Sequence, residues 1–244
     1  MKLSNRLETI ANMVPEHTKN GCVADVGTDH GFVPVWLLRE HRAARAIAMD
    51  VRKGPLARAK EHIEQYGLSD RIETRLSDGL EKLMPQEADT VVIAGMGGEL
   101  MLRILQDGEH VRASVKSWVL SPQSEFSAFR HGLEALGLMI RTETMLEEEG
   151  KYYTVMLVES GDMHYEQEYE YRYGKALIDA KSAVLLKFLK KEKAQYEQII
   201  AQLEKQTSDG AKMRLAELKE ELNDMVQAIR AIEESEDSER DLMQ

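Results

Sequence analysis

The sequence predicts an α/β fold: a seven-stranded, mostly parallel sheet that ends in a β-hairpin, followed by an antiparallel helical hairpin of coiled-coil type. From about residue 20 to residue 160, short apolar runs alternate with helical patterns, which is typical of a mostly parallel sheet. Beyond that point a stripe of leucine and isoleucine at three- and four-residue spacing replaces the alternation. We therefore predict two domains, residues 1–160 and 161–244.

The elements of the first domain follow from where each apolar run begins and ends. Strands are predicted at residues 22–26, 45–49, 71–75, 90–94, 116–120, about 138–146 and 151–159. Helices are predicted between them, near residues 31–40, 54–66, 98–106 and 124–136. Only the short acidic segment LEEEGK separates the last two strands, so we expect them to pair antiparallel at the end of the sheet.

The second domain is predicted from two apolar stripes separated by the turn-forming segment QTSDG at residues 206–210. The first stripe, interrupted by a polar Glu192, consists of Leu185, Leu189, Tyr196, Ile199 and Leu203. The second stripe consists of Leu215, Leu218, Leu222, Met225, Ile229 and Ile232. We expect the stripes to form the packing seam of the hairpin, and the acidic end EESEDSERD to be a frayed, solvated tail.

The net charge of −11 argues against a polyanionic partner, but the charge is unevenly distributed. Residues 181–219 carry nine Lys and Arg against five Asp and Glu, whereas residues 220–244 carry two against nine. A locally basic surface is therefore compatible with the acidic total.

The chain has features expected of a cytoplasmic protein. No run of about 18 apolar residues is present, so no transmembrane helix is predicted. The amino terminus lacks the apolar core of a signal peptide. The single cysteine, Cys22, cannot form an internal disulfide and is expected to be a buried strand residue.

The segment ADVGTDHG follows the first predicted strand, where a doubly wound sheet binds its ligand. It matches neither the G-x-G-x-x-G fingerprint nor a P-loop. Asp25 and Gly27 instead resemble motif I of class I methyltransferases that use S-adenosylmethionine, in which an acidic residue and a glycine bracket the methionine part of the cofactor. The alternative for this segment is a tight turn that the aspartate caps.

Acidic residues and glycines also follow the next three strands. Asp50 ends the second strand, where a carboxylate can accept both hydroxyls of a ribose. Asp78 follows the third strand, where such enzymes place an acidic residue beside the adenine amine. Three glycines, in VVIAGMGGEL, follow the fourth strand, where the transferred methyl group should lie. The alternatives are a loop aspartate for Asp50 and a helix cap for Asp78.

The glycine-rich segment also narrows the range of atoms that could accept the methyl group. Enzymes that methylate exocyclic amines usually carry two prolines and an aromatic residue here, and AGMGG has neither. A ring nitrogen such as N1 of adenine has its own lone pair, so it needs alignment rather than a base. Asp29 and His30 are near enough in the chain to contact the acceptor, although His30 could equally be a residue that begins a helix.

The order of these segments resembles one family. KLSNRLETIANMVP, ADVGTDHG, GPLARAK, SDGLE, VVIAGMGGELM and LEEEGKYYTVMLVE, followed by a charged helical hairpin, are similar to the bacterial tRNA (adenine-22-N1)-methyltransferases over almost the whole chain. The resemblance implies a Rossmann-like class I methyltransferase domain, S-adenosylmethionine as cofactor, and N1 of adenine 22 in the D-arm of tRNA as acceptor. The strand end AMD departs from family members that have Gly-Glu there, so the assignment of Asp50 rests on the least support.

The resemblance assigns residues to three roles. The catalytic set is Asp29, His30, Met96 and Gly97. The cofactor-binding set is Asp25, Gly27, Thr28, Asp50, Asp78, Gly79, Ala94 and Gly95. The substrate-binding set, to which basic residues are added for contacts with phosphates, is Arg6, Arg52, Lys53, Gly98, Gln123, Lys190 and Lys191. For the basic residues the alternative is a solvated charge on a helix face.

Two other functions remain open from the residues alone. One is a methyltransferase that acts on a small molecule or a protein, which would have the same cofactor site. The other is an adaptor without turnover that binds a protein partner through the hairpin. The histidines show no metal-ligand spacing, so no metal is expected. A monomer is expected because the hairpin can bury its own seam.

Overall fold

The computed structural model describes residues 1–206 and 208–241, with side chains as far as residue 234 in the last helix. The chain divides into two compact units, Met1–Met163 and His164–Gln244. Each unit is described by itself.

The first unit alternates strands and helices. Its strands are β1 (Cys22–Val26), β2 (Arg45–Asp50), β3 (Ile72–Leu76), β4 (Thr90–Met96), β5 (Ser117–Pro122), β6 (Leu138–Glu148) and β7 (Lys151–Ser160). Its helices are α1 (Asn5–Met13), α2 (Phe32–Arg39), α3 (Lys53–Gln65), α4 (Gly98–Asp107), α5 (Glu109–Arg112) and α6 (Phe126–Ala135). Every predicted strand overlaps an observed strand, whereas the short helix α5 was not predicted.

The seven strands form one sheet in the order β3-β2-β1-β4-β5-β7-β6. The first five strands are parallel, and β7 is antiparallel to both β5 and β6. This confirms the predicted Rossmann-like sheet with a closing hairpin. The order reverses direction at β1, so the carboxyl ends of β1 and β4 lie beside each other at the point where ligands bind in such sheets.

The core under α1, α2 and α3 is formed by alternate strand residues. Val23, Ala46, Val92, Val119 and Val155 belong to one buried cluster with apolar residues of these helices. Because successive strand side chains point to opposite faces, this alternation identifies one face of the sheet. Both faces of β1, of nearly all of β2 and of the first four residues of β4 are buried, so the strands that end at the carboxyl edge are anchored in the core.

A buried ion pair supports the far edge of the sheet. Arg130 of α6 donates to the carboxylate of Glu143 in β6, and both side chains are almost fully buried. Burial is the largest influence on Glu143 and raises its pKa, against the lowering effect of the Arg130 charge. The pair therefore anchors α6 to β6 through charges that are withdrawn from water.

The second unit is helical: α7 (Glu168–Tyr173), α8 (Lys175–Asp179), α9 (Ala183–Leu203) and α10 (Asp209–Asp241). Lys190 pairs with Glu233 at 2.8 Å, and Lys219 pairs with Glu204 at 2.8 Å. These contacts join early α9 to late α10 and late α9 to early α10, so the two helices are antiparallel as predicted. The short helices α7 and α8 were not predicted.

The seam of the hairpin differs from the predicted stripe at one position. Leu185 and Leu189 are buried, but Ile199 is exposed and Ile200 takes the buried position. A straight helix has 3.6 residues per turn, so a strict 3.5-residue spacing drifts off the packed face after a few turns. On α10 the stripe is largely confirmed, because Leu218, Met225, Ile229 and Ile232 are buried.

The helix α10 continues to Asp241, so its backbone is helical through the segment that was predicted to be a frayed tail. The side chains of that tail from residue 235 onward lie outside the described part of the chain. Among the helices that the structure describes, none has the length and apolar character needed to cross a membrane.

Candidate active site

The turn between β1 and α2 is shaped by two backbone conformations that favour glycine. Gly27 has a φ of 79° and Gly31 a φ of 63°. The N–H groups of Gly27 and Thr28 both donate to the carbonyl oxygen of Met49, at 2.8 and 2.9 Å. The turn is therefore tied to the end of β2, which brings the carboxyl ends of β1 and β2 to one place.

Asp25 is a buried carboxylate at the end of β1. Burial raises its pKa to about 6; the nearby charge of Asp50 adds to the rise and the Thr28 hydroxyl opposes it. Among the side chains that the structure describes, as far as residue 234, none of the basic ones forms an ion pair with Asp25. A buried carboxylate without a cation is expected to bind one, because its charge is otherwise uncompensated.

Asp50 lies at the end of the neighbouring strand β2 and is also buried. One oxygen, Oδ1, accepts a 2.7 Å hydrogen bond from the backbone N–H of Arg52 and lies 3.7 Å from Nε of the same residue. The carboxylate is thus oriented by the turn that follows it, and it retains the capacity to accept from a ligand.

Asp50 opens into a cavity of about 470 Å³, which we call the Asp50 cavity. It is lined by Val26, Gly27, Asp50, Val51, Arg52, Ser77, Asp78, Gly79, Ala94, Gly95, Met96, Leu100, Arg103 and Ile104. Six of the residues predicted to bind the cofactor therefore line one cavity, and Met96 from the predicted catalytic set joins them.

The Asp78 turn closes one end of this cavity. Gly79 has a φ of 51°, and an added Cβ would lie 3.1 Å from two carbons of Ile104. The hydroxyl of Ser77 donates to the carbonyl oxygen of Gly79 and accepts from the N–H of Lys82. The exposed carboxylate of Asp78 is thus presented on a braced turn.

The end of β4 forms the wall between the Asp50 cavity and a second cavity. The pairing of β4 with β5 shifts register between Ala94 and Met96, and Gly95 between them has a φ of 79°. A Cβ at Gly95 would lie 3.1 Å from Nη2 of Arg6. Glycine here therefore allows the Arg6 guanidinium to approach the backbone.

The second cavity, the Arg6 cavity, also measures about 470 Å³. It is lined by Ser4, Arg6, Leu7, Asp25, Gly27, Thr28, Asp29, Phe32, Val33, Arg52, Val92, Ala94, Gly95, Gln123, Glu148 and Tyr153. It shares Gly27, Arg52, Ala94 and Gly95 with the Asp50 cavity, so the two cavities adjoin at the glycines of the first and fourth strand ends.

Arg6 is held in this second cavity by residues of the β6–β7 hairpin. Its guanidinium carbon lies 4.8 Å from the ring centroid of Tyr153, and its backbone N–H donates to Glu148 at 3.3 Å. The Nε of Arg6 is buried and has no hydrogen-bond partner among the residues that the structure describes. Arg6 thus lines the cavity with a guanidinium, a group suited to an acceptor oxygen of a ligand.

Of the neighbouring residues Asp29 and His30, both predicted to be catalytic, only Asp29 lines one of the two cavities. Asp29 lines the Arg6 cavity and forms a 2.7 Å ion pair with Arg58. His30 lies outside both cavities, with its ring stacked against Phe32 at a centroid distance of 5.2 Å. The Nε2 of His30 is 3.7 Å from Asp29, so the two side chains remain neighbours.

Several other predicted residues lie away from the cavities. Gly97 and Gly98 begin α4, where an added Cβ would lie 3.1 Å from Oγ of Ser124 and 2.7 Å from its carbonyl oxygen, respectively. Close packing explains both glycines. Lys53 begins α3, and Lys190 is paired with Glu233 within the second unit, which also contains Lys191.

Phe32, Glu148 and Tyr153 were not predicted as site residues, whereas Arg58 was a candidate for a phosphate contact. Phe32, Glu148 and Tyr153 line the Arg6 cavity, and Arg58 pairs with Asp29. The segment LEEEGKYY contains Glu148 and Tyr153, but its spacing indicates only a hairpin. Within the described side chains, no group of three or more His, Cys, Asp or Glu residues is arranged to hold a metal ion.

Comparison with known proteins matches residues 23–228 to the family model of tRNA (adenine(22)-N(1))-methyltransferase. The tRNA (adenine(22)-N(1))-methyltransferase of Bacillus subtilis is 39% identical over 163 residues, which cover 66% of this chain and 67% of the relative. The match thus spans about two thirds of both sequences.

Two solved structures are similar over nearly the whole chain. The crystal structure of the Bacillus subtilis M1A22 tRNA methyltransferase has a TM-score of 0.83 and 32% identity, covering 93% of this chain and 99% of that one. A Streptococcus pneumoniae protein described as a candidate tRNA (m1A22) methyltransferase, solved in complex with S-adenosyl-L-methionine, has a TM-score of 0.78 and 31% identity. That match covers 96% of this chain and 99% of the other.

Proposed function

The chain belongs to the tRNA (adenine(22)-N(1))-methyltransferase family, and we propose that its two adjoining cavities divide the reaction between cofactor and target base. The enzyme transfers a methyl group from S-adenosylmethionine to N1 of adenine 22 in tRNA. The observation that carries the assignment is the meeting of the Asp50 and Arg6 cavities at Gly27 and Gly95.

The residues around the Asp50 cavity fit S-adenosylmethionine. Asp50 and Asp78 offer acceptor-only carboxylates, which match the two hydroxyls of a ribose and the amine of an adenine. The uncompensated, buried Asp25 lines the adjoining Arg6 cavity rather than the Asp50 cavity, and it matches the cationic amino group of a methionine part that extends to the junction of the two cavities. S-adenosylmethionine supplies an activated methyl group on a positively charged sulfur.

Gly27 and Gly95, at the junction of the two cavities, contribute because they have no Cβ atom. A Cβ at Gly27 would lie 2.1 Å from the terminal carbon of Met96, and one at Gly95 would reach Arg6. Without these atoms, backbone from β1 and β4 borders both cavities closely. A methyl donor in one cavity and an acceptor in the other can then come within reacting distance, which is the main requirement for transfer to a ring nitrogen.

The Arg6 cavity is proposed to take the target adenine. Enzymes that modify a base flip it out of the RNA stack into the active site. The rings of Phe32 and Tyr153 line this cavity and can stack against the flipped base. The lone pair of N1 attacks directly, so no general base is needed. The methylated adenine carries a positive charge, and the carboxylates of Asp29 and Glu148 in the lining favour that charge.

Arg6 and Gln123 are proposed to hold the substrate at this site. The guanidinium of Arg6 fits an anionic oxygen, and Gln123, which follows β5, lines the same cavity. Arg52 borders both cavities from the loop after β2 and is mostly exposed, which suits a phosphate contact.

The unit Met1–Met163 is proposed to perform the chemistry, and the helical unit to provide a second contact with tRNA. The excess of basic residues over residues 181–219 supports this role, although Lys190 is already paired with Glu233. We also infer that the enzyme acts in the cytoplasm, as a monomer and without a metal ion.

The test is methyl transfer from labelled S-adenosylmethionine to an unmodified tRNA transcript with adenine at position 22, followed by nucleoside analysis. A matched transcript with guanine at position 22 is the control. We expect labelled 1-methyladenosine from the first transcript and none from the second. Label at N6, equal label in both transcripts or label in neither would contradict the function.

A further inference from the structure

Four aromatic side chains form a row on the surface of α2 and α3. The rings of His30 and Phe32 are stacked with centroids 5.2 Å apart. His62 meets Phe32 edge-on at 4.9 Å, and Tyr66 meets His62 edge-on at 4.9 Å. We call these four residues the aromatic row.

Polar contacts orient the row. The Nδ1 of His62 lies 2.9 Å from the carbonyl oxygen of His30, to which its N–H donates. The guanidinium of Arg39 lies over Tyr66, 4.8 Å from the ring centroid. Because these contacts join α2 to α3, the rings are held in fixed positions rather than rotating freely on a helix surface.

The row is accessible although it is ordered. The side chain of His30 is 41% exposed and Tyr66 is 36% exposed. Rings that served only to pack the two helices together would be expected to bury their faces. This row instead keeps apolar ring surface in contact with solvent, which indicates a surface that binds a partner.

The row reaches the target site and has a basic border. Phe32, the second ring of the row, lines the Arg6 cavity, so the row adjoins the proposed position of the target adenine. Residues 29–66 carry seven Lys and Arg against five Asp and Glu, in a chain whose net charge is −11. Arg39 lies over the ring of Tyr66, and Arg58 pairs with Asp29, the neighbour of His30; both arginines are exposed.

We propose that the aromatic row binds the nucleotides of tRNA that adjoin adenine 22, with bases against the rings and phosphates against the flanking arginines. Rings interleaved with cations are the usual means of binding unpaired nucleotides, since every base has a face that can stack. The proposal rests on the assignment of the Arg6 cavity to the target adenine. Continuity with that cavity and the basic border favour RNA over a protein as the occupant.

The first test measures tRNA affinity for Tyr66→Ala, with Tyr66→Phe as the matched control that keeps the ring. Loss of one stacked base is expected to raise the Kd for tRNA about tenfold in Tyr66→Ala, and by less than twofold in Tyr66→Phe. The Kd for S-adenosylmethionine and kcat at saturating tRNA should stay within twofold. Equal tRNA affinity in the wild type and Tyr66→Ala would overturn the contact at Tyr66.

The second test uses Arg39→Gln and the dependence of tRNA affinity on salt. Loss of one phosphate contact is expected to reduce the slope of log K against log salt by about one. The matched control is Arg71→Gln, an exposed arginine just before the opposite, amino-terminal end of β3, which should leave the slope unchanged. A change in folding alone would not alter this slope.

The outcomes separate this proposal from the proposed function. If the wild type forms 1-methyladenosine at position 22 and both variants bind tRNA as the wild type does, the proposal for the row is wrong and the function stands. If the wild type methylates no tRNA, the function fails, and the two binding tests still decide whether the row binds RNA. If Tyr66→Ala does not fold, the dependence of tRNA affinity on salt in Arg39→Gln tests the proposal by itself.

Discussion

A Cβ added at Gly27 would lie 2.1 Å from the terminal carbon of Met96, so the first and fourth strand ends touch where both cavities meet. Gly27 also has a φ of 79°, a conformation that side chains with a Cβ rarely adopt. One glycine therefore serves both the turn after β1 and the approach of the glycine-rich segment after β4.

Gly27→Ala should accordingly weaken cofactor binding. The left-handed backbone conformation costs about 1–2 kcal/mol for a residue with a Cβ, and Met96 must move away. We expect the Kd for S-adenosylmethionine to rise about tenfold or more in calorimetric titration. Gly67→Ala provides the matched control, since Gly67 also has a positive φ but no atom within 4 Å of its added Cβ. Loss of stability without loss of affinity would contradict a role at the cofactor site.

Cofactor affinity should depend on pH through Asp25. Its pKa is about 6 in the folded protein, so the carboxyl is largely protonated at pH 5 and ionised at pH 7. A cationic amino group binds the ionised form, so the Kd for S-adenosylmethionine should rise about tenfold from pH 7 to pH 5. In Asp25→Asn the Kd should be high at both values, and a pH dependence that persists in this variant would exclude Asp25 as its source.

The same carboxyl should affect the stability of the protein without cofactor. Its pKa is higher in the folded than in the unfolded state, so the folded protein binds more protons between about pH 4 and pH 6. Stability from this group therefore falls as pH rises through that window. Asp25→Asn should reduce this fall and raise the melting temperature at pH 7.5, as differential scanning calorimetry can measure. A lower melting temperature there would contradict the uncompensated burial of the charge.

Asp29→Ala should slow methyl transfer without affecting cofactor binding. Asp29 lines the proposed target cavity, and its negative charge favours the positively charged product, although its ion pair with Arg58 moderates the effect. We expect kcat to fall roughly tenfold in steady-state assays at saturating tRNA, with the Kd for S-adenosylmethionine unchanged. Asp70→Ala, at an exposed aspartate just before β3, is the control. An unchanged kcat in Asp29→Ala would remove Asp29 from the reaction.

Tyr153→Ala should weaken the use of tRNA. The ring lines the target cavity and carries the guanidinium of Arg6 at 4.8 Å, so its loss removes both a stacking face and the support of Arg6. We expect the KM for tRNA to rise about tenfold. Tyr153→Phe retains the ring and should remain near the wild type in steady-state kinetics. If both variants lose activity equally, the hydroxyl rather than the ring face is important.

Glu143→Gln should destabilise the fold without altering the site. Glu143 and Arg130 are buried together, and the variant removes the carboxylate that pairs with the buried guanidinium, at a cost of about 3–5 kcal/mol. Chemical denaturation measures the loss. The double variant Arg130→Met with Glu143→Leu should recover most of the stability, because it removes both buried charges. Failure of the double variant to recover would mean that packing at α6 outweighs the ion pair.

Local patterns were sufficient for much of the fold. The five parallel strands, the closing hairpin and the helical hairpin each depend on apolar spacing and turn residues within a short segment. The glycines and acidic residues at the strand ends could also be predicted, because the carboxyl ends of parallel strands meet at one edge. The short helices α5, α7 and α8 were missed, since four to six residues carry too little periodicity to be recognised.

The sequence by itself determined the sheet, the acidic residues and glycines that line the Asp50 cavity at the strand ends, and the family that the chain resembles. Only the tertiary structure decided the Arg6 cavity, to which α1, α2 and the β6–β7 hairpin contribute Arg6, Phe32, Glu148 and Tyr153. It also decided that Ile200 rather than Ile199 packs in the helical seam. Both outcomes depend on which distant segments come into contact, and spacing along the chain does not record those contacts.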